Sequence, residues 1–127
     1  MSFKVIVDSC CDLTPAQMKE GCFVRVPLTI RVGKDVIVDD AGFDQAELLW
    51  KMRRCEQAPQ TACPSPVQYL EAFDCGAEDL YVVTLSALLS GSHNAAAQAR
   101  SIWLEDHPNA RVHIFNSCSA SAGEVLV

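Results

Sequence analysis

The chain has 127 residues, half of them apolar, with a net charge of -6 and a pI near 4.9. That length supports one ordinary hydrophobic core, so a single domain over residues 1–127 is expected, and no apolar run approaches the ~20 residues that cross a bilayer. The acidic balance excludes a nucleic-acid partner, because phosphate backbones are met by clustered Lys and Arg.

The opening MSFKVIVDSC has a short Val/Ile run and then a polar turn, without the long apolar stretch and cleavage region of an export signal. A cytoplasmic location is expected. The seven cysteines (Cys10, Cys11, Cys22, Cys55, Cys63, Cys75 and Cys118) are odd in number and form no C-x-x-C pair. They read as free thiols in a reducing compartment, with no metal site and no disulfide framework.

In chain order, Lys4 to Val7 reads as a buried strand that ends in Asp8-Ser9, and Thr14-Pro15 then opens a short helix as N-cap and first residue. Phe23 to Val38 alternates apolar and polar around Gly33-Lys34-Asp35, which predicts two strands joined by a turn. Phe43 to Met52 places Phe43, Leu48, Leu49 and Met52 on one helical face, and the basic Lys51, Arg53 and Arg54 beside it read as a solvated surface. Three prolines from Pro59 to Pro66 predict a fixed, extended loop carrying Thr61. Ser65 and Pro66 then start a helix over Val67 to Phe73.

Leu80 to Leu85 is a second buried strand, followed by Leu89-Ser90-Gly91-Ser92 and an Ala-rich helix to about Leu104. Arg111 to Phe115 is a third strand, ending in Asn116-Ser117-Cys118-Ser119 before another helix over Ala120 to Val127. Buried strands alternating with helices imply an α/β fold with a mainly parallel sheet flanked by helices.

Three such strands finish in Ser, Thr, Asp or Asn, and the ends of parallel strands gather along the edge where ligands of open sheets bind. The clusters are therefore expected to share a crevice. Ser90 and Ser92 stand where a helix begins, so unpaired N–H groups and the positive end of the helix dipole favour an anion. The same hydroxyls serve equally well as helix caps. No Lys or Arg lies in these loops, so a carboxylate fits better than a highly charged phosphate. Ser90 and Ser92 adjoin His93, but no G-x-S-x-G elbow is present and no carboxylate is evidently placed to orient the imidazole. Walker and G-x-G-x-x-G loops are absent too. No catalytic residue is expected. An α/β enzyme acting on a small phosphorylated or hydroxylated substrate stays open by fold analogy alone.

Taken together, VDSCCDLTP (Val7 to Pro15), VRVPLTI with Asp39-Asp40, TACPSP (Thr61 to Pro66), LSALLSGSHNAA (Leu85 to Ala96) and NSCSASAGEVLV (Asn116 to Val127) resemble the DegV family, in family order along nearly the whole chain. The resemblance implies a Rossmann-like three-layer N-terminal domain that binds a long-chain fatty acid, with no other cofactor. The acyl chain would lie in an apolar tunnel while Ser and Thr hydroxyls hold its carboxylate. The positions so implied are Thr61 and Ser90, with Gly91, Ser92 and Ser9 beside them. A partner fatty acid kinase catalytic subunit would phosphorylate the presented carboxylate, so the chain itself would be a non-catalytic carrier. The sequence departs from the family pattern at Ala62, Asn116 and Ser92-His93. Because the family has two domains with ligand between them, these 127 residues are expected to be a truncated piece bearing one wall of the site. A bare apolar edge would favour self-association.

Overall fold

The computed structural model describes residues 2–127. Its main sheet has four parallel strands in the order β2-β1-β6-β7: β1 Phe3–Asp8, β2 Phe23–Val26, β6 Asp79–Thr84 and β7 Arg111–Asn116. The three strands read from buried apolar runs are β1, β6 and β7, and they lie parallel and side by side. Helix α1 (Pro15–Lys19) joins β1 to β2, and α4 (Ser92–Asp106) joins β6 to β7. Chain direction thus departs one way from β1 and the other way from β6, and these two strands are neighbours.

The segment Phe23 to Val38 holds three strands rather than two. Pro27, which cannot donate to a ladder, separates β2 from β3 (Thr29–Val32), and β3 pairs antiparallel with β4 (Asp35–Val38). The predicted turn is there: Gly33 takes φ +61, a conformation the two-residue hairpin requires and L side chains resist. The proline loop also contains a regular piece. Gln60–Ala62, lying between Pro59 and Pro64, forms β5 and adds to the other edge of β3. Prolines flank this strand without interrupting its hydrogen bonds.

Helix α2 (Gln45–Arg54) is capped by Asp44 and starts two residues after the predicted Phe43, and it buries none of its residues. Lys51 ties it to the hairpin through Asp35 at 3.1 Å, and Arg54 lies 4.7 Å over the Trp50 ring. The Thr14 and Ser65 caps form as read, each with its reciprocal Gln three residues on, and α3 spans Pro66–Phe73.

Helices α3 and α4 pack together across one face of the main sheet, enclosing Ile6, Val26, Tyr69, Phe73, Leu80, Val82, Ala95, Ala96, Ala99 and Val112. The three alanines let α4 approach closely. On the other face Val7, Cys11 and Val83 are covered by Leu13 and by Val125 of α5 (Ala122–Val125). The fold is an α/β sheet flanked by helices.

Candidate functional site

The C-terminal ends of β1 and β6 form the switch point of the sheet, where connections leave in opposite directions, the place at which sheets of this topology form a ligand crevice. Asp8 closes its floor. The Asp8 carboxylate is fully buried and accepts Leu85 N–H at 2.8 Å and Cys10 N–H at 3.2 Å, tying the two strand ends together. Asn116 at the end of β7 joins from the side, its Oδ1 accepting Ala87 N–H at 3.0 Å, while Ser86 N–H donates to the Ser119 carbonyl at 2.9 Å. The polar ends of β1, β6 and β7 therefore meet.

Above this floor runs the turn from Leu85 to Ser92. Ser90 is half-buried, and its Oγ lies 3.1 Å from Ser92 Oγ and accepts Ser92 N–H at 3.2 Å. Ser92 is fully buried and faces both Asp8 and Tyr69. The residue that caps α4 is Gly91, which offers no side chain, so the cap comes from one residue earlier: Ser90 Oγ takes the Ser92 N–H at the first position of this 15-residue helix. Ser90 differs from Thr14 and Ser65 in position: those stand at the N-cap and accept the third amide, whereas Ser90 precedes the N-cap, accepts the first amide and lies against Ser92 Oγ.

Thr61 lies exposed on β5, opposite Ile30, beside a hollow of about 250 Å³ lined by Thr29, Arg31, Val36, Gln60 and Ala62. Its segment reaches the Ser90 turn two residues later. A methyl group added to Gly91 would stand 3.0 Å from Cys63 Sγ, so the two segments touch there. Ser9 has a different setting: it is nearly closed off, its Oγ accepts Leu28 N–H at 3.0 Å, and its carbonyl accepts the Arg25 guanidinium at 2.9 Å. That geometry braces the loop after β2.

A group not foreseen from sequence completes the floor. Glu124, on α5, is 2% exposed and its Oε1 accepts Ser121 N–H at 3.1 Å, while Oε2 meets no donor. It faces Asp8. Burial, then the Asp8 charge, push the Glu124 carboxyl up to about 8, and burial raises Asp8 against the lowering effect of its N–H donors. The Cys10 and Cys11 thiols are pushed up to about 11, first by burial and then by these carboxylates. Burial raises the Tyr69 phenol as well. A strand ending in Asp and a Ser-x-x-Glu pattern at Ser121 are visible in the sequence, but nothing local links positions 8 and 124.

Two larger hollows, of about 640 and 600 Å³, lie at the opposite ends of the strands, where Arg111 makes a forked ion pair with Asp79. That pair joins the starts of β6 and β7, away from the switch point. Among the described residues no three His, Cys, Asp or Glu side chains converge as a metal site, and no helix is long and apolar enough to cross a membrane.

Comparison with known proteins matches residues 2–127 to a family model described as an uncharacterised protein of the DegV family. A DegV domain-containing protein of Streptococcus pneumoniae is 46% identical over 127 residues, covering 98% of this chain and 44% of its own length. The chain thus spans less than half the length of such relatives. A DegV family structure from Ruminococcus gnavus, refined with vaccenic acid, is 45% identical with a TM-score of 0.94, covering 99% of this chain and 45% of that one. The Streptococcus pneumoniae fatty acid kinase B3 protein loaded with linoleic acid is 43% identical with a TM-score of 0.86, over 95% and 43% of the two chains. A DegV family protein from Eubacterium eligens loaded with heptadecanoic acid is 31% identical with a TM-score of 0.88, over 98% and 44%. With the family model matched from end to end of the described residues, the chain belongs to the DegV family.

Proposed function

We propose that this chain supplies one wall of a binding site for a long-chain fatty acid. The Thr61 and Ser90 hydroxyls, with Gly91 and Ser92 at the start of α4, hold the carboxylate, and Ser9 braces the floor beneath them. The observation that carries the reading is the match in fold and sequence to the Ruminococcus gnavus structure refined with vaccenic acid. The start of α4 adds a physical reason, since the positive end of a 15-residue helix dipole stabilises a single negative charge. Leu88 and Leu89, 98% and 69% exposed just before Ser90, offer apolar surface for the first carbons of the chain. In this reading the protein is a carrier without its own chemistry. It works in the cytoplasm, where seven free thiols are stable, and presents the carboxylate to a fatty acid kinase catalytic subunit for acyl phosphate formation.

Native mass spectrometry of the protein purified from cells, followed by oleate titration, tests this. Co-purified acyl chains and saturable oleate uptake are expected. Combining Thr61→Ala with Ser90→Ala removes two hydroxyl donors to a charged group, each worth roughly 1.5–3 kcal/mol, so affinity should fall by about a hundredfold or more. Unchanged affinity in that double variant would remove the carboxylate from this turn.

A further inference from the structure

Glu124 Oε2 is enclosed without a donor, and the group it faces is a second buried carboxylate. Two ionised carboxylates in contact repel strongly, whereas one proton between them turns the contact into an O–H···O bond. Asp8 accepts two backbone N–H groups and is the better anion, which leaves the proton on Glu124. The other charged or titratable groups around the pair are Cys10, Cys11 and Asp12 after β1 and Tyr69 on α3, with Arg25 on β2 and Asp39 after β4 one step further out, beside Cys11 and Cys10. Arg25 is the cation among them, and it is engaged by the Ser9 carbonyl and by Asp39 at 3.5 Å.

We propose that Asp8 and Glu124 hold one proton between them, and that this proton positions the Leu85 to Ser92 turn for its anion. Asp8 is the positioning residue for the turn, through Leu85 N–H and the buried Ser92. Glu124 docks the β7–α5 segment onto it. That segment is strained, with Cys118 at φ 51 and Ser121 at φ 55, and the Ser121 hydroxyl is tied to Asp12. The same segment supports the turn from its other side, where the Ser119 carbonyl accepts Ser86 N–H. Losing the proton places two charges in contact, and they separate most readily by withdrawing α5. Both the floor and the side support of the turn then loosen. Only the ligand step depends on the proposed fatty acid site; the shared proton does not.

The test combines carbon-13 carboxyl titration, the Leu85 amide proton shift and oleate affinity from pH 6 to 9.5, for wild type, Glu124→Gln and Glu124→Ala. Expected is a Glu124 carboxyl titrating near 8, a Leu85 shift with the same midpoint, and oleate affinity falling by up to about tenfold per pH unit above it. Glu124→Gln carries a permanent amide donor to Asp8, so it restores the binding that Glu124→Ala loses and flattens the pH profile. Its profile also subtracts any ionisation of oleate itself. Glu124 titrating near its ordinary 4.5, or wild type and Glu124→Gln sharing one profile, overturns the proposal. If Glu124 and Leu85 titrate together while no variant takes oleate at any pH, the shared proton stands and the fatty acid reading falls.

Discussion

Gly91 is the point where the Thr61 segment and the Ser90 turn meet, so Gly91→Ala perturbs their spacing directly. The added methyl would lie 3.0 Å from Cys63 Sγ, closer than ordinary van der Waals contact. Backbone strain does not enter, because Gly91 already has φ -74. Replacing glycine by alanine at a helix N-cap costs about 0.5 kcal/mol. Cys63 is exposed and can yield by a few tenths of an ångström, so the total loss of stability should stay below about 1.5 kcal/mol. Binding should suffer more. Displacing Cys63 shifts the strand that carries Thr61, and misplacing one hydroxyl on a carboxylate costs about 1.4 kcal/mol, or tenfold in affinity. Oleate titration and urea unfolding of wild type, Gly91→Ala, Cys63→Ala and the double variant measure both effects. Cys63→Ala removes the sulfur that the methyl meets, so the double variant should bind within about twofold of Cys63→Ala alone, which is the signature of a direct steric coupling. The reasoning is refuted if Gly91→Ala binds like wild type, or if removing the sulfur restores nothing.

The buried carboxyl pair should also appear in stability. Glu124 has an ordinary value of 4.5 and is raised to about 8 in the fold, so between those values the folded chain keeps a proton that the unfolded chain releases. Its contribution is fully present below 4.5 and is lost as pH rises through 8, with a slope approaching ~1.4 kcal/mol per pH unit for one proton. Urea midpoints for wild type should therefore fall between pH 6 and pH 8.5 more steeply than those for Glu124→Gln; equal slopes would contradict the assignment. Thiol reactivity gives a further check. With Cys10 and Cys11 pushed up to about 11, roughly one in a thousand is thiolate at pH 8. The exposed Cys63 and Cys118 should be modified first, with Cys10 and Cys11 slower by orders of magnitude. Rapid labelling of Cys10 or Cys11 in mass-spectrometric peptide maps would show that the crevice floor is open.

What is legible in this sequence is what local chemistry decides. The β1 and β6 runs of branched apolar residues carry their own length and burial, and the Thr14-Pro15 and Ser65-Pro66 starts encode caps whose partners lie three residues away. The convergence of the Ser9, Ser90 and Asn116 regions follows from parallel pairing alone. The misreadings share a cause. Pro27 divides what looks like one alternating strand, and β5 forms because β3 has a free edge at Thr29 to Arg31, a tertiary fact that Pro59 and Pro64 conceal. The pairing of Asp8 with Glu124 spans nearly the whole chain and depends on how α5 docks, so no local pattern announces it. Ser9 looks like its neighbours in the crevice until its hydrogen bond to Leu28 is seen.

The central claim is that a fatty acid carboxylate rests between Thr61 and the Ser90 turn at the start of α4. Its most direct test is a crystal structure of the protein, as the cell makes it, grown with oleate. Elongated apolar density ending in a carboxylate within hydrogen-bond distance of Thr61 Oγ1 and Ser90 Oγ is the predicted result. A bound acyl chain with its carboxylate elsewhere, or an empty crevice at saturating oleate, would contradict it.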